Sequence, residues 1–572
     1  MRRFIASRTG RLGAALSLVL VCTLFGLVLV SAQEPTAGSE EVQTAQIDAP
    51  AMEQSEWSAE PPPLTEEQQA QLEYWTERTG RTGPPLDPAG QEAEITGPVP
   101  GSESILVDER TLSGQPMAPG DIVRMRVKEF GSSIPAGYKS NVMESSVGVG
   151  GRYAFFTGNW FGARSEDGGL NWTYVSAFTG FPEFCCDQKV IYDESHSRYF
   201  WLRMGVPDAN GENVFKLSVN TNWVGPLTSW CTYTAPPTAV NGSWTHQWWD
   251  YPNDMQIGAD YLYIVWNMFD WNGTATTDDD YFVRTVVLRW PLEELANCAG
   301  FSYNYFESDW FTLVPVQGAW HTMYLASNWP PSPPQNNRLR IYKWEEDSTT
   351  IYWWDKTIHT WTTTGRHDAQ CGSASGNWCD RGDQRVLTGA RYTISSDGVV
   401  DDRIPGRKIL GWWWNVGEGG DFAMPYTDAA AFYEDTMTQV GGWLGRPYVW
   451  SPETCIWYAS VTPNKRQDLG MVVHWGDGTN LRPSAYFSIA DDYTWAPPGW
   501  TVYRYAISRA RPSDNVWGDY NTVREFEPTQ KVWVAGSHVI RNTTNCSNCS
   551  EPVYLVFGRS RDYYSWRRWR GK

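Results

Sequence analysis

The sequence predicts an all-β protein, a seven-bladed β-propeller, from three observations. A short polar-led phrase followed by an aromatic-rich strand recurs along the chain. Aromatic residues make up 15% of the 572 residues, with 34 tryptophans, and such side chains suit half-buried strands. Beyond about residue 105, short aromatic and β-branched runs alternate with Gly, Pro, Asn and Asp turns, without any long helical period.

The recurring phrase gives the expected number of blades, because each copy is long enough for four short strands and their loops. The seven copies begin at Glu144, Asp187, Asp250, Trp320, Asp383, Trp457 and Asp519. We expect the segment 105–128, which contains Ile122-Val-Arg-Met-Arg-Val, to add a strand to the last blade. Closing the ring in this way would remove open sheet edges.

The N-terminus has the pattern of a targeting segment. Four arginines precede an apolar run over residues 12–30, and Val30-Ser31-Ala32 has the small-residue spacing of a signal-peptidase site. We expect residues 1–32 to be a signal peptide. An uncleaved anchor is the alternative, because the run is long enough to span a bilayer. The expected location is therefore secreted, extracellular or on the cell surface.

Residues 33–104 are rich in Glu, Gln, Pro, Ala and Gly, a composition that cannot bury enough apolar area to fold alone. We expect a disordered acidic, Pro-rich linker. A short helix is expected near residues 65–79, because Thr65-Glu-Glu-Gln68 is a capping-box pattern. The propeller domain then occupies residues 105–572 and ends in a basic tail.

Charge and cysteine content narrow the class of protein. The net charge of −19 argues against nonspecific nucleic-acid binding, because the phosphate backbone attracts basic surfaces. The chain has ten cysteines, and export favours disulfides. Cys371–Cys379 and Cys546–Cys549 are close enough in sequence to close local loops, and the other pairings stay open.

One motif predicts a specific hairpin turn. Ser165, Asp167, Gly169 and Trp172 fit the pattern S-x-D-x-G-x-x-W. The Ser and Asp side chains are expected to bond to the turn backbone, Gly169 to adopt a conformation that other residues resist, and Trp172 to pack beneath. The motif resembles the Asp boxes of sialidases and related BNR-repeat propellers. Because those boxes lie on the outer side of blades, the resemblance implies a structural role.

Residues from about 140 to 572 also resemble a group of exported bacterial sialidase-like propeller proteins. The resemblance implies a propeller and a bacterial source, and it implies no particular reaction. The matching stretches are Thr157-Gly-Asn-Trp-Phe161, Phe184-Cys-Cys-Asp-Gln188, Trp249-Asp-Tyr-Pro252 and Trp517-Gly-Asp-Tyr520.

The sialidase resemblance does not extend to a catalytic set. Sialidases of this kind use three arginines to grip a carboxylate, a Tyr–Glu nucleophile pair and an Asp acid/base. The nearest string to their first arginine motif, Asp402-Arg403-Ile404-Pro405, lies deep in the chain and has Asp in place of the aromatic residue. No Tyr–Glu pair can be assigned, so the catalytic residues stay unknown.

Instead, the phrase starts predict a binding site at one mouth of the central channel, which the first strand of each blade would line. Converging carboxylates there would bind a cation such as Ca²⁺, pair with an arginine or have raised pKa values. Alternatively, each acidic residue bonds to its own blade and locks it to the next, a reading favoured by the repetition. The predicted mouth set is Asp187, Gln188, Trp249, Asp250, Trp320, His321, Asp383, Arg385, Trp517 and Asp519.

The expected function is binding of a glycan or a protein partner outside the cell, since exposed Trp and Tyr offer stacking surfaces for sugars. One alternative is a glycoside hydrolase acting on extracellular polysaccharide with two carboxylates. Another is a structural protein that self-associates. We expect no nucleic-acid partner, and no cofactor is indicated beyond a possible Ca²⁺.

The basic, aromatic C-terminal stretch 559–572 has two interpretations. It could dock on an anionic lipid, cell-wall polymer or acidic glycan, or it could be a final strand with a solvated tail. Membrane contact is expected only through this tail or through residues 1–32.

Overall fold

The computed structural model describes the greater part of the compact unit Ala37–Lys572. The expected helix near 65–79, most of the linker, residues 1–36, Asp383 and Asp519 lie outside the described residues. The described ranges are 37–54, 105–106, 118–130, 142–221, 229–273, 280–331, 336–362, 378, 384–395, 406–419, 421–477, 481–493, 500–510, 517–518, 520–527, 529–543 and 546–570.

Strands dominate these residues, as the sequence predicts, and helices are few and short. In the described part of the chain, no helix is long and apolar enough to cross a membrane. The first five strands are β1 (Gly38–Glu41), β2 (Gln43–Ile47), β3 (Ala51–Gln54), β4 (Ile105–Leu106) and β5 (Ile122–Glu129).

Three antiparallel meanders follow, each with four strands in sequential order. The first is β6 (Ser146–Gly150), β7 (Tyr153–Thr157), β8 (Phe161–Ser165) and β9 (Thr173–Ser176). The second is β10 (Phe184–Asp193), β11 (Arg198–Gly205), β12 (Phe215–Asn220) and β13 (Ser229–Ala235). The third is β14 (Gln247–Ile257), β15 (Tyr261–Asp270), β16 (Tyr281–Pro291) and β17 (Phe301–Ser308), with helices α1 (Pro237–Val240) before it and α2 (Leu292–Ala296) within it.

Four further meanders complete the unit. The fourth is β18 (Val314–Gln317), β19 (Thr322–Ser327), β20 (Arg338–Glu345) and β21 (Thr350–Thr357), and the fifth is β22 (Val386–Ser395), β23 (Gly406–Val416) and β24 (Tyr426–Tyr433). A 3₁₀ helix (Gly442–Gly445) follows. The sixth is β25 (Cys455–Pro463), β26 (Leu469–Gly476), β27 (Ser484–Ala490) and β28 (Val502–Ala506), and the seventh is β29 (Thr522–Glu525), β30 (Trp533–Thr543) and β31 (Cys546–Arg559), ending in helix α3 (Ser560–Arg570).

The first strands of the meanders lie next to one another. Strands β6, β10, β14, β18, β22, β25 and β29 each contact the next, and β29 contacts β6 again. Between the fourth and fifth meanders the contact is a parallel pairing of β18 with β22, which joins them into one eight-stranded sheet. The order of contacts is therefore a closed cycle.

The segment β4–β5 adds the closing strands to the last sheet. Strand β5 pairs antiparallel with β31, from Val553 opposite Glu129 to Arg559 opposite Ile122. Strand β4 pairs parallel with β5. This confirms the expectation that the chain before the first meander supplies a strand to the last one.

The segment 38–54, expected to belong to the linker, instead adds an outermost strand to three sheets. Strand β1 pairs with β21, β2 with β17 and β3 with β13. Composition misses this arrangement because an added strand needs no apolar core of its own; the open edge of a sheet supplies main-chain partners. Glu53 of β3 also forms two salt bridges with the second sheet. Its Oε2 lies 3.6 Å from Arg203 Nη2, and its Oε1 lies 3.7 Å from Lys216 Nζ.

Tryptophans are the largest fully buried side chains of the core. Between the second and third sheets, the ring centroid of Phe215 lies 5.1 Å from that of Trp266 and 5.6 Å from that of Trp249. Such rings bury roughly 150–250 Å² each, so they account for much of the packing. A disulfide joins Cys231 of β13 to Cys298 after α2. Cys185, Cys455 and Cys549 are also disulfide-bonded.

The basic C-terminal stretch forms a helix rather than a strand with a solvated tail. Tyr563 and Trp566 of α3 are buried. Before and within the helix, Arg559 pairs with Asp491 at 2.6 Å and Arg561 with Asp492 at 3.1 Å. These two arginines are thereby engaged within the protein, whereas the side chains after Trp566 lie outside the described residues.

Candidate functional site

A cavity of about 620 Å³ opens at the carboxyl ends of six first strands, β6, β10, β14, β18, β25 and β29, and of the turns that follow them. Its wall is mixed, with polar and apolar side chains in comparable measure. Amides from Gln256, Gln317 and Asn464 line it together with carboxyl groups, one arginine, one lysine and one tryptophan.

Three glutamates form what we call the acidic rim: Glu194, which follows β10, Glu525 at the end of β29, and Glu527 just beyond it. Gln530 holds two of them, because its Nε2 donates to Glu194 Oε2 at 2.6 Å and to Glu527 Oε1 at 3.1 Å. The backbone fixes the same turn: the Gly151 N–H donates to the Glu527 carbonyl at 2.8 Å.

Burial favours the protonated form of two glutamates of the acidic rim, Glu525 and Glu527. It raises the pKa of Glu525 to about 8. Burial, with the adjacent Glu194 carboxyl group and Glu525, raises the pKa of Glu527 to about 9. Both groups are therefore neutral at pH 7, beside Glu194.

The floor of the cavity carries a buried cation, Arg524. Its Nη2 donates to Asp254 Oδ1 at 2.8 Å, while its Nε and Nη1 have no hydrogen-bond partner among the described residues. Burial opposes ionisation of Asp254, but Arg524 and Lys189 outweigh it and lower the pKa of that carboxyl group. Lys189 is itself buried, and its Nζ lies 3.1 Å from the ring centroid of Tyr520. Burial lowers the pKa of Lys189 to about 8.

Trp320 lies at the edge of the cavity with 60% of its surface exposed. Gly318 positions it in the turn after β18, with φ +79° and no room for a side chain, since a Cβ there would lie 2.6 Å from Pro463 Cγ. The Trp320 carbonyl accepts a hydrogen bond from the Ala259 N–H at 3.1 Å. The turn therefore fixes the backbone of Trp320, while its indole ring stays exposed to solvent.

Beside Trp320, three side chains could hold a metal ion. Ligand atoms of Asp260, His321 and Glu346 lie within 4.8 Å of one another. The Ala259 and Asp260 N–H groups orient the Glu346 carboxylate at 3.0 and 3.2 Å, and His321 Nδ1 lies 3.7 Å from it. One nitrogen and two carboxylates suit a borderline ion such as Zn²⁺ better than Ca²⁺, which takes six to eight oxygens.

The predicted mouth set does not form one site. Asp187, Gln188 and Asp250 lie near the amino ends of β10 and β14, away from the cavity end. Gln188 is buried and joins two sheets: its Nε2 donates to the Gly158 carbonyl at 2.6 Å and its Oε1 accepts from Trp201 Nε1 at 2.8 Å. This bonding matches the alternative in which the repeated polar residues lock neighbouring sheets.

The tryptophans of the mouth set also differ from the expectation. Trp249 is fully buried and donates from Nε1 to the Ala235 carbonyl at 2.9 Å. Trp517 is fully buried against His474 and His538, with ring centroids 4.7 and 4.5 Å away. Arg385 is buried as well.

Trp320 and His321 were expected at the same mouth of the channel as Asp187 and Asp250, and the structure places them elsewhere. They lie in the turn between β18 and β19, at the opposite end from Asp187 and Asp250. The true first strand, Val314-Pro-Val-Gln317, is short and has no aromatic residue. The phrase pattern therefore matched the second strand, Thr322–Ser327, instead.

The turn between β8 and β9 has the bonding expected of its motif. Ser165 Oγ donates to Asp167 Oδ1 at 2.8 Å and accepts from the Gly169 N–H at 2.8 Å. Gly169 has φ +89°. Trp172 is buried and donates to the Gly169 carbonyl at 3.2 Å. None of these four residues lines the cavity.

Sequence reasoning missed the acidic rim and Arg524. The phrase emphasises the residues that begin each first strand, whereas these residues end one. The sequence Arg524-Glu-Phe-Glu527 could have indicated these residues. Its two acidic residues occupy alternate positions at the end of a strand that begins with the β-branched residues Thr522 and Val523.

Comparison with known proteins adds distant structural similarities. Neither the protein-family models nor the curated proteins contain a match to this sequence. Among solved structures, a lignostilbene dioxygenase from Pseudomonas brassicacearum matches at 10% identity and TM-score 0.35, covering 64% of this chain and 74% of that one. An α-L-arabinanase from Penicillium chrysogenum matches at 8% identity and TM-score 0.33, covering 73% and 93%.

The NanB sialidase from Streptococcus pneumoniae matches at 9% identity and TM-score 0.32, covering 80% of this chain and 73% of that chain. At identities and TM-scores this low, the superpositions carry no argument about function, and the chain is assigned to none of these groups.

Proposed function

We propose that this chain is an exported seven-bladed β-propeller that binds a glycan in the cavity beside Trp320. The blade count is supported by the closed cycle of seven first strands and by the added strand β5, which completes the last sheet. In a propeller, such first strands surround a central channel, and the cavity lies at one end of six of them.

The observation that carries the glycan proposal is Trp320, a large aromatic ring more than half exposed at the edge of a cavity whose wall carries amides and carboxyl groups. An exposed indole face is a stacking surface for the C–H face of a sugar ring. The amides and carboxyl groups of the wall supply the donors and acceptors that sugar hydroxyls need. A concave site of this size fits a small ligand better than a flat protein surface.

Export is supported by the targeting pattern of residues 1–32 and by the disulfide between Cys231 and Cys298, since disulfides persist in oxidising compartments. A glycan ligand is then expected outside the cell or on its surface.

A glycan array followed by calorimetry on the best ligand tests the proposal. We expect Trp320→Ala to weaken binding at least tenfold without changing the melting temperature, because the ring is exposed. Tyr352→Ala is the matched control: this residue is also exposed but lies on β21, outside the cavity. Equal losses from both variants, or no binding to any glycan, would overturn the proposal.

A second candidate function, glycoside hydrolysis, is favoured by one observation. The cavity carries a carboxyl group suited to act as an acid, because burial raises the pKa of Glu527 to about 9. Hydrolysis of a glycosidic bond uses such an acid together with a second carboxyl group as base or nucleophile. Release of reducing ends from the bound glycan, lost in Glu527→Gln and kept in Trp320→Ala at saturating ligand, would support it. Binding without release of reducing ends would leave only the binding function.

A further inference from the structure

We propose that Asp260, His321 and Glu346 form a binding site for a divalent transition-metal ion, and that Zn²⁺ is the ion their chemistry fits. None of the three side chains lines the cavity, although the site lies directly beside Trp320. The inference is therefore independent of the proposed glycan binding.

The three ligands come from three separate turns of two neighbouring sheets. Asp260 lies between β14 and β15 of the third meander, His321 between β18 and β19 of the fourth, and Glu346 between β20 and β21 of the fourth. One ligand atom from each side chain lies within 4.8 Å of the other two. An ion bound there would link the third meander to the fourth.

The distances suit a zinc ion. Two ligands on one tetrahedral Zn²⁺ lie roughly 3.4 Å apart, because each is about 2.0–2.2 Å from the metal. His321 Nδ1 and Glu346 Oε2 are 3.7 Å apart, so the imidazole needs to shift only slightly to share an ion with the carboxylate. His321 has room to do so, because 69% of its side chain is exposed.

Glu346 is the fixed ligand of the site. Its side chain is only 4% exposed, and its Oε1 and Oε2 accept from the Ala259 and Asp260 N–H groups at 3.0 and 3.2 Å. Gly258 leaves room for this carboxylate, because a Cβ there would overlap Glu346 Oε1. Oε2 uses one lone pair for the Asp260 N–H and keeps a second for a metal.

The burial of Glu346 is an independent indication of a cation. Buried charged groups in proteins are paired or coordinate metals. In the described part of the chain, Glu346 has no lysine or arginine partner, and its one salt bridge is the contact with His321. Asp260 brings a second negative charge close to it. A divalent ion would neutralise both carboxylates, which a neutral imidazole does not.

The ligand atoms select the class of ion. Imidazole is a ligand for Zn²⁺ and similar transition metals, whereas Ca²⁺ takes six to eight oxygens, more than two carboxylates supply. Three protein ligands leave one position of a four-coordinate Zn²⁺ for water. Because Asp260 and His321 are exposed, the ion reaches the site from solvent.

The test measures metal binding to the untagged full-length protein after treatment with a chelator. We expect calorimetry to show one Zn²⁺ bound per chain at this site and no binding of Ca²⁺ at the same concentration. Zinc should also raise the melting temperature, because an ion that binds only the folded state stabilises it. Absence of zinc binding, or Ca²⁺ binding as tight as that of Zn²⁺, would overturn the proposal.

His321→Gln is the main variant, because the exposed side chain is removed without disturbing the core. Glutamine is a poor zinc ligand, so we expect the affinity to fall at least tenfold and the rise in melting temperature to disappear. His246→Gln is the matched control, since His246 is also exposed but lies at the other end of β14 from Asp260. Equal losses in the two variants would contradict the assignment.

The carboxylates are tested in the same way. We expect Asp260→Asn and Glu346→Gln each to weaken zinc binding at least tenfold. If Glu346→Gln fails to fold, Asp260→Asn still decides the question, because Asp260 is exposed. Zinc affinity that is unchanged in Asp260→Asn would show that the three side chains do not act together.

The nitrogen ligand has its own spectroscopic signature. With Cu²⁺ in place of zinc, electron paramagnetic resonance should show coupling to a single imidazole nitrogen, and His321→Gln should remove that coupling. A signal from two or more imidazole nitrogens, or one that persists in His321→Gln, would place the metal elsewhere and overturn the proposal.

Discussion

Arg524 and Asp254 form an ion pair, with 2.8 Å between Nη2 and Oδ1, across 270 residues of sequence. Arg524 lies in β29 and Asp254 in β14, two first strands that are not neighbours in the cycle of contacts. The pair therefore ties together two sheets that share no backbone hydrogen bond in the described part of the chain.

Removing the cation of this pair should be costly. We expect Arg524→Ala to destabilise the protein by about 3–5 kcal/mol, because it leaves a buried carboxylate without its partner. Denaturant unfolding followed by tryptophan fluorescence measures this. Arg407→Ala, which breaks the exposed pair with Asp435, is the control and should leave the unfolding midpoint nearly unchanged. Equal shifts in the two variants would contradict the prediction.

The acidic rim should make the protein less stable at alkaline pH. The pKa values of Glu525 and Glu527 are raised to about 8 and about 9 in the folded state, against about 4.3 in unfolded chains. The unfolded state thus loses these protons first, and stability falls as pH rises through this window. Glu527→Gln should flatten the fall between pH 6 and pH 9 in denaturant titrations. An unchanged pH dependence in the variant would refute the assignment.

Buried histidine should add a loss of stability on the acid side. His474 is fully buried, and burial lowers its pKa to about 4, whereas an unfolded histidine titrates near 6.5. The unfolded state therefore binds the proton first, and stability should decline as pH falls from about 6.5 to about 4. Melting temperatures across this range should decline less steeply in His474→Gln. Exposed His246→Gln serves as control and should keep the wild-type slope.

The strands β1–β3 should protect three sheet edges. Deleting residues 1–54 exposes the outer edges of β13, β17 and β21, and open edges pair with other chains. We expect a lower melting temperature and concentration-dependent oligomers in light scattering. A deletion of residues 1–36 alone keeps all three strands and should remain as wild type. A monomeric, equally stable 1–54 deletion would show that the strands contribute nothing.

Local patterns in the sequence were sufficient for the strands, the closing strand and the Asp-box-like turn. Each depends on neighbours close in the chain: alternating aromatic residues make β-strands, and Ser165, Asp167 and Gly169 bond within one turn. The linker prediction failed at residues 38–54 because strand addition depends on an edge far away in sequence.

The acidic rim and the place of Trp320 were decided only by the tertiary structure. Glu194 and Gln530 are 336 residues apart, and they meet because two first strands end at the same side of the molecule. Repetition in the sequence shows how each sheet begins. Which turn residues converge at the other end, and which of them become buried enough to hold a proton, follows from how the sheets pack around their common centre.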